Sequence, residues 1–282
     1  IITGGAGFIG SNLTDHLVKI GHKVIILDNF VSGKKSNLSH HKKNNVKIVK
    51  VDIAKSKNLE KYLLGADYVF HLAGLAEIIP SIKNPKKYFI NNVVGTLNIV
   101  EAAKKVKVKK LIYAASSSCY GAPKSFPISE KDKIDLKHPY ALTKFMGEEL
   151  VMKYASIFSM PNISFRFFNV YGPRLNTSTQ YSAVIGNFLS QTKNKKPLTV
   201  VGDGKQTRDF IHVDDLVNAF IKVIKSKLVN KIYNLGSGKK TSIGKIAKIF
   251  GGKKKFIPFR PGEPKNSLAN ISKIKKDISW RP

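Results

Sequence analysis

The chain has one cysteine, Cys119, in 282 residues, so no internal disulfide can form, no multi-cysteine cage exists and no metal is expected. No apolar run approaches the roughly 20 residues that cross a bilayer, and no signal-peptide pattern opens the sequence. Acidic residues are scarce, 18 against 49 basic, and arginine is scarcer still, with 44 Lys and five Arg. Reading of base edges favours Arg, whose fork pairs two acceptors at once. No helix-turn-helix, finger or RNA-binding signature accompanies the charge. The net charge of +31 therefore reads as a solvated lysine surface with a weak attraction for any polyanion at low salt. A starting Met is missing, the first residues lie within a strand, and SWRP ends the chain without a closing helix. A fragment trimmed at both edges is expected, from a soluble cytoplasmic protein.

What is present is an ordinary globular composition, 42% hydrophobic, long enough for one large domain or two unequal lobes. Over the first two-thirds, short β-branched runs alternate with helical patterns, the rhythm of a parallel sheet covered on both faces. Strands are expected at Ile1–Thr3, Lys23–Leu27, Val46–Val51, Tyr68–His71, Lys110–Ala114 and Ile163–Phe167. Helices are expected near Phe8–Ile20, Lys57–Leu64, Pro85–Lys105 and His138–Phe158, a doubly wound Rossmann-type α/β fold. After Asn169 the rhythm breaks into helical (Ser182–Lys193, Val213–Ser226) and extended (Leu198–Val201, Phe210–His212, Ile232–Leu235) pieces. The expected division is a dinucleotide-binding domain over 1–168, to which segments near 210–235 return, and a smaller substrate lobe over most of 169–282.

TGGAGFIG places Gly4, Gly7 and Gly10 between a strand and an amphipathic helix. Glycines there permit a tight turn and bring backbone N–H groups to a pyrophosphate at the positive end of the helix. Asp28 ends the next apolar run, VIILDNF, 18 residues after Gly10. A carboxylate at that point accepts hydrogen bonds from a ribose diol and repels a 2′-phosphate, so NAD is expected in preference to NADP. Asp52, closing KIVKVDI, either bonds the adenine amine or caps a following helix.

HPYALTKFMGEEL carries Tyr140 and Lys144 four apart on an expected helix, hence on one face. A lysine cation and a positive nicotinamide ring would both favour the phenolate. A phenol of ordinary pKa about 10 could then act as a base near neutrality. The strand bearing Ser116, in AASSSCYG, ends where this tyrosine should lie, so both hydroxyls could hold one substrate oxygen.

These residues bring the chain to a known family. With HLAG, NVVGT (Asn92–Thr96), SSSCYG, YALTK, RFFNVYGPR, GDGKQTRDFIHVDD and RPGEP in order, it resembles the extended short-chain dehydrogenase/reductase family, and within it the nucleotide-sugar 4-epimerases. The resemblance implies a catalytic set of Ser116, Tyr140 and Lys144. It also implies NAD contacts from Gly4, Gly7, Phe8, Ile9, Gly10, Asp28, Asn29, Asp52, Ile53, Ala73 and Asn92 together with Tyr140 and Lys144. A UDP-sugar would be held by Ser117, Ser118, Asn169, Arg208, Arg260 and Ser267, with Arg208 and Arg260 on the diphosphate, where a fixed guanidinium fork suits the oxygens. Arg166 and Arg174 are left between ligand and structural roles. A homodimer is the family expectation.

Dehydrating relatives carry an Asp-Glu pair where this chain has Ser117 and Ser118, and relatives that form UDP-xylose tend to carry a Glu there. Elimination needs an acid and a base, so the missing carboxylates argue for reversible oxidation alone: hydride from C4 to NAD, rotation of the 4-keto sugar, and hydride return. Ala76 stands where glucose/galactose-type enzymes often have Lys. Ser267 stands where a tyrosine narrows the pocket in enzymes restricted to unacetylated sugars, which favours UDP-N-acetylglucosamine/galactosamine, alone or with UDP-glucose/galactose. Glu77 replaces a usually small polar residue without explanation. Open alternatives are another NAD-dependent nucleotide-sugar modifier, such as a uronate epimerase or a reductase, and a non-catalytic dinucleotide-binding regulator.

Overall fold

The computed structural model describes residues 1–177, 184–259 and 264–282. In chain order the strands are β1 (Ile2–Thr3), β2 (Val24–Asp28), β3 (Val46–Lys50), β4 (Tyr68–His71), β5 (Lys110–Ser116), β6 (Asn162–Phe167), β7 (Asn169–Tyr171), β8 (Leu198–Val201), β9 (Thr207–His212), β10 (Lys231–Leu235), β11 (Lys240–Ser242) and β12 (Lys254–Ile257). The helices are α1 (Phe8–Lys19), α2 (Glu60–Leu63), α3 (Ile78–Lys83), α4 (Pro85–Phe89), α5 (Gly95–Lys105), α6 (Pro139–Phe158), α7 (Val184–Lys193), α8 (Val213–Lys225), α9 (Ile243–Phe250) and α10 (Ser272–Ile278).

Seven strands form one parallel sheet in the order β10-β6-β5-β4-β1-β2-β3. Strands buried on both faces read as unbroken apolar runs, and β5 shows this best, with every residue before Ser116 buried. Its one charge, Lys110, sends Nζ to the carbonyls of Val223 and Ser226, at 2.9 and 2.8 Å, around the C-terminus of α8. A cation there meets the negative end of the helix dipole. On one sheet face Leu13 and Leu17 of α1 pack with Val213, Leu216, Val217 and Phe220 of α8 and with Trp280. On the other, Ile99, Val100 and Ala103 of α5 pack with Val151 of α6 and Leu63 of α2.

Strand order reverses at β1, which lies between β4 and β2. The crevice outside the carboxyl ends of such strands is where doubly wound sheets bind ligands. Beyond the sheet, β7 and β11 flank β9, β12 pairs with β8, and Phe188, Leu198, Val200, Ile243 and Ala247 form a separate small core.

Three departures from the sequence expectation have local causes. The helix expected over 85–105 is interrupted by a π turn at Ile90–Val94, where Asn92 turns its side chain into the protein. The short helix α3 follows Glu77 in a stretch too brief and too apolar to show a helical period. The lysine-rich stretch after Leu235 hides β11, α9, β12 and α10, so a helix does close the chain just before SWRP, against expectation; α9 is capped by the Ser242 hydroxyl, which accepts from the Lys245 amide. The expected helix start at Ser182 lies outside the described residues.

Candidate active site

Two clefts open at the carboxyl edge of the sheet. The larger, of about 1030 Å³, is lined by Gly4, Gly7, Phe8, Ile9 and Gly10 of the glycine loop, by Asp28 and Asn29 after β2, by Asp52 and Ile53 after β3, and by Ala73 after β4. The glycines are needed for approach. Gly4 has φ +69°, and a Cβ there would lie 2.8 Å from the Ala73 backbone; a Cβ on Gly10 would lie 2.4 Å from the Gly4 carbonyl. A Cβ on Gly7 would meet only that same carbonyl, at 3.2 Å, so this face of the loop is turned to the cleft. Loop and helix start therefore present backbone N–H groups to open space, the cradle an anionic pyrophosphate fits.

Asp28 is held in place by its own neighbourhood, accepting from the Ala6 amide (2.9 Å) and the Phe30 amide (2.8 Å) while still facing the cleft. One carboxylate oxygen of Asp52 accepts from the Ala54 amide at 3.0 Å, so it caps a turn and not a helix, on the cleft wall. Asn29 accepts from the Val31 amide at 3.2 Å. Asn92 behaves differently from the expected direct contact. It is 1% exposed and lines neither cleft; its Oδ1 accepts from the Leu75 amide (2.8 Å) and its Nδ2 donates to the Leu75 carbonyl (3.0 Å) and to Thr143. It acts by bracing the Gly74–Leu75 turn that forms the wall.

Sequence reasoning passed over His71, which ties this wall together. The Thr96 hydroxyl donates to the Asn92 carbonyl (2.6 Å), so it must accept from His71 Nε2–H (2.9 Å). His71 Nδ1 then accepts from the Thr3 hydroxyl (2.7 Å), whose oxygen accepts from the Ala73 amide (3.1 Å). The chain of donors runs in one direction and sets the tautomer. Burial, and then the Lys144 charge, push the His71 pKa down to about 3, so it is neutral.

The smaller cleft, of about 430 Å³, is lined by Ser116, Ser117, Ser118, Tyr140, Asn169, Arg208 and Ser267. Ala76, Glu77 and Phe167 line both clefts, so the two meet there. β5 ends at Ser116, whose oxygen accepts from the Ser118 amide (3.2 Å) and shares a hydrogen bond with the Ser118 hydroxyl (2.8 Å). α6 opens two residues before Tyr140 with His138 as cap, its Nδ1 accepting from the Ala141 amide (3.1 Å). The Tyr140 amide donates to Ser81 at 3.1 Å, and its ring stacks on His138. The Tyr140 phenol lies close enough to the Ser116 hydroxyl for that group to lower its pKa, and both line this cleft.

On α6 the spacing of four continues inward through Lys144 and Glu148. Lys144 is 7% exposed with Nζ 4.4 Å from the centre of the Tyr113 ring, a cation–π contact from β5. Glu148 is 1% exposed and forms a buried ion pair with Arg166 on β6, Oε1 to Nη2 at 2.6 Å; Arg166 also donates to Tyr120 Oη at 2.8 Å. Arg166 is thus structural. Arg174 is too, donating to Asp15, to Asn12 Oδ1 (2.9 Å) and to the Asn37 carbonyl (3.1 Å).

In the protein without cofactor, burial holds the Tyr140 phenol above its ordinary pKa, and the Ser116 hydroxyl pulls the other way. Burial drives the Lys144 pKa down to about 7, with Glu148 pulling it up. Desolvation is the largest cause for both groups, raising the phenol and lowering the ammonium.

On the far wall, Asn169 Nδ2 donates to the Asp209 carbonyl (3.2 Å), and Arg208 Nη1 to the Thr207 carbonyl (3.0 Å). Asp209, fully buried, accepts from the amides of Ser237, Gly238 and Ala269 at 2.6, 3.0 and 3.0 Å, which fastens β9 to the segment bearing Ser267. Arg260 lies outside the described residues.

A model of the family described as "NAD dependent epimerase/dehydratase family" matches residues 1–236. The chain is 34% identical to a "Putative UDP-glucose 4-epimerase" of Methanocaldococcus jannaschii, over all of this chain and 92% of that protein. It is 35% identical to UDP-glucuronic acid decarboxylase 4 of Arabidopsis thaliana, over all of this chain but only 64% of that protein. Among solved structures it is similar to a UDP-N-acetylglucosamine 4-epimerase from Methanobrevibacter ruminantium M1 in complex with UDP-N-acetylmuramic acid. That match has TM-score 0.95 and 36% identity, and covers the whole chain and 91% of that structure. Motifs, parallel sheet and matches agree: the chain belongs to the NAD dependent epimerase/dehydratase family.

Proposed function

We propose that the chain is a 4-epimerase of a UDP-sugar that prefers the N-acetylglucosamine/N-acetylgalactosamine pair, with or without the glucose/galactose pair. The observation that carries this reading is the Ser116–Tyr140 hydroxyl pair beside the junction of the two clefts, with hydroxyls and no carboxylate at positions 117 and 118. Tyr140 takes the proton of the sugar 4-OH while Ser116, steadied by Ser118, bonds the same oxygen. When bound, NAD supplies reversible hydride acceptance at C4 and a positive ring beside the phenol, which offsets the burial that raises the Tyr140 pKa. Arg208 and Asn169 anchor the diphosphate side, so that the 4-keto sugar turns over within the smaller cleft and takes the hydride on its other face. Residues 1–168, with β10 and α8, then serve the dinucleotide, and most of 169–282 serves the nucleotide sugar. Ser267, small and 8% exposed on the cleft wall, leaves room for a 2-N-acetyl group. The N-acetylglucosamine epimerase among the similar structures supports the same preference.

A second reading, decarboxylation of a UDP-uronate, is favoured by the Arabidopsis relative. Against it stand the serines at 117 and 118. Among the described residues the cations of the sugar cleft are Arg208, assigned here to the diphosphate, and Lys137, ion-paired with Asp135 at 2.9 Å. Incubation with UDP-N-acetylglucosamine, UDP-glucose and UDP-glucuronate in separate reactions, followed by anion exchange, tests both. A C4 epimer from the first substrate is expected; loss of CO₂ from the third with no epimer from any would overturn the assignment. Tyr140→Phe should lower kcat by about 10²-fold or more while NAD stays bound, and full activity in that variant would remove Tyr140 as the base. We also propose a homodimer through α5 and α6, whose Leu97, Leu142, Ile157 and Phe158 are exposed at 37, 43, 66 and 47%; light scattering reads this directly.

A further inference from the structure

On the outer flank of α1, away from both clefts, two consecutive histidines converge on one carboxylate oxygen. His41 Nε2 lies 2.7 Å and His40 Nε2 2.9 Å from Oδ1 of Asp15, and the two imidazole centres are 4.1 Å apart with 39° between their planes. The three candidate ligand atoms all lie within 4.8 Å of one another. We propose that Asp15, His40 and His41 form a binding site for one divalent transition-metal ion of the zinc class. Two imidazole nitrogens and one carboxylate oxygen suit Zn²⁺, Co²⁺, Ni²⁺ or Cu²⁺, whereas Mg²⁺ and Ca²⁺ require oxygen sets.

The surroundings position the ligands. Arg174 donates to Oδ2 of Asp15 and to Asn12 Oδ1 (2.9 Å), which holds the carboxylate with Oδ1 turned to the histidines. An outer partner of this kind orients a ligand and is worth about 10- to 100-fold in affinity. With metal–ligand distances of about 2.0–2.2 Å, tetrahedral ligands stand roughly 3.4 Å apart. The histidines must then withdraw by roughly 0.5 Å (His40) and 0.7 Å (His41), and His40, with a side chain 54% exposed, has room to do so. The same exposure leaves a coordination position for water. Without an ion each ring offers an N–H to Oδ1; with one, the same two nitrogens offer lone pairs.

The site clamps a segment that touches the dinucleotide cleft. The Lys34 amide (3.0 Å) and Asn37 Nδ2 (2.8 Å) both donate to the Ala6 carbonyl in the glycine loop, and Gly33 and Lys34 line the cleft. An ion at His40 and His41 fixes the other end of this segment to α1. Spacing alone did not signal it, because His40-His41 and Asp15 are 25 and 26 residues apart and meet only in the fold.

The test is Zn²⁺ titration of chelator-stripped full chain against a chromophoric competitor, with the visible absorption of Co²⁺ as a second probe. The wild-type chain and His22→Ala, an exposed histidine elsewhere, should bind one equivalent and show four- or five-coordinate Co²⁺ bands. The double variant His40→Ala/His41→Ala should bind at least about tenfold more weakly and lose the bands. Equal affinity in that double variant, or no stoichiometric binding by the wild type, overturns the proposal. Asp15→Asn should weaken binding as well; should the loss of the Arg174 contact unfold it, the double histidine variant, confined to a surface loop, still decides.

Discussion

At the scale of single residues, enclosed charge dominates. The native pKa of Lys144, about 7, lies below the 10.5 of an exposed lysine, so the unfolded chain binds more protons between those values. Stability of the cofactor-free protein therefore rises with pH across that window, and the cost of burying the ammonium is fully present below it. Denaturant unfolding at pH 7 and pH 9 should show the rise, and Lys144→Met should flatten it. His71 works in the acid range: its pKa of about 3 against 6.5 means stability falls as pH drops from 6.5 towards 3. The Glu148–Arg166 pair allows a third measurement, since Glu148→Gln leaves a buried guanidinium without its counter-charge. A loss of about 3–5 kcal/mol is expected, read by thermal or chemical melts. Ser116, Tyr140 and Lys144 were legible in the sequence because their spacing is local or their motif is stereotyped. His71, Tyr113 and Glu148 were not, although all three lie in or beside quoted motifs, since their partners come from distant strands and helices. Asn92 was found by motif, but its contact with the Leu75 backbone could only be seen in three dimensions.

At the scale of elements, the strand runs were readable because a doubly covered parallel sheet leaves them uniformly apolar. The boundaries of β4 and β8 match the expectation outright. Charge hid the later elements: α9 carries Lys245 and Lys248 among its isoleucines, and β12 exposes three of its four residues. Contact between α6 and β5 turns on one residue. A Cβ on Gly147 would stand 2.2 Å from Tyr113 Oη and 3.2 Å from the Asn92 carbonyl. Gly147→Ala should therefore lift the helix, costing about 1–3 kcal/mol. Because Tyr140 and Lys144 ride on the same helix, kcat should fall and NAD affinity weaken with it; a variant with unchanged kcat would show that α6 does not need this close approach.

At the scale of the whole molecule, a net charge of +31 makes the fold work against its own field. Raising ionic strength from 0.01 to 0.15 M shortens the Debye length from about 30 to 8 Å, so the melting temperature should rise with salt. Affinity for an anionic nucleotide sugar should fall over the same range, since screening weakens long-range attraction. A melting temperature that is flat with salt would mean that the lysines are spaced widely enough to ignore one another. The described residues contain no helix long and apolar enough to cross a membrane.

The one-way run of donors from the Ala73 amide through Thr3, His71 and Thr96 to the Asn92 carbonyl has a consequence for isotope exchange. Reversing any single bond would strand a neighbour, so the links open together or not at all. The Ala73 amide, although it borders an open cleft, should exchange with deuterium as slowly as the core of the sheet, and His71→Ala should release it.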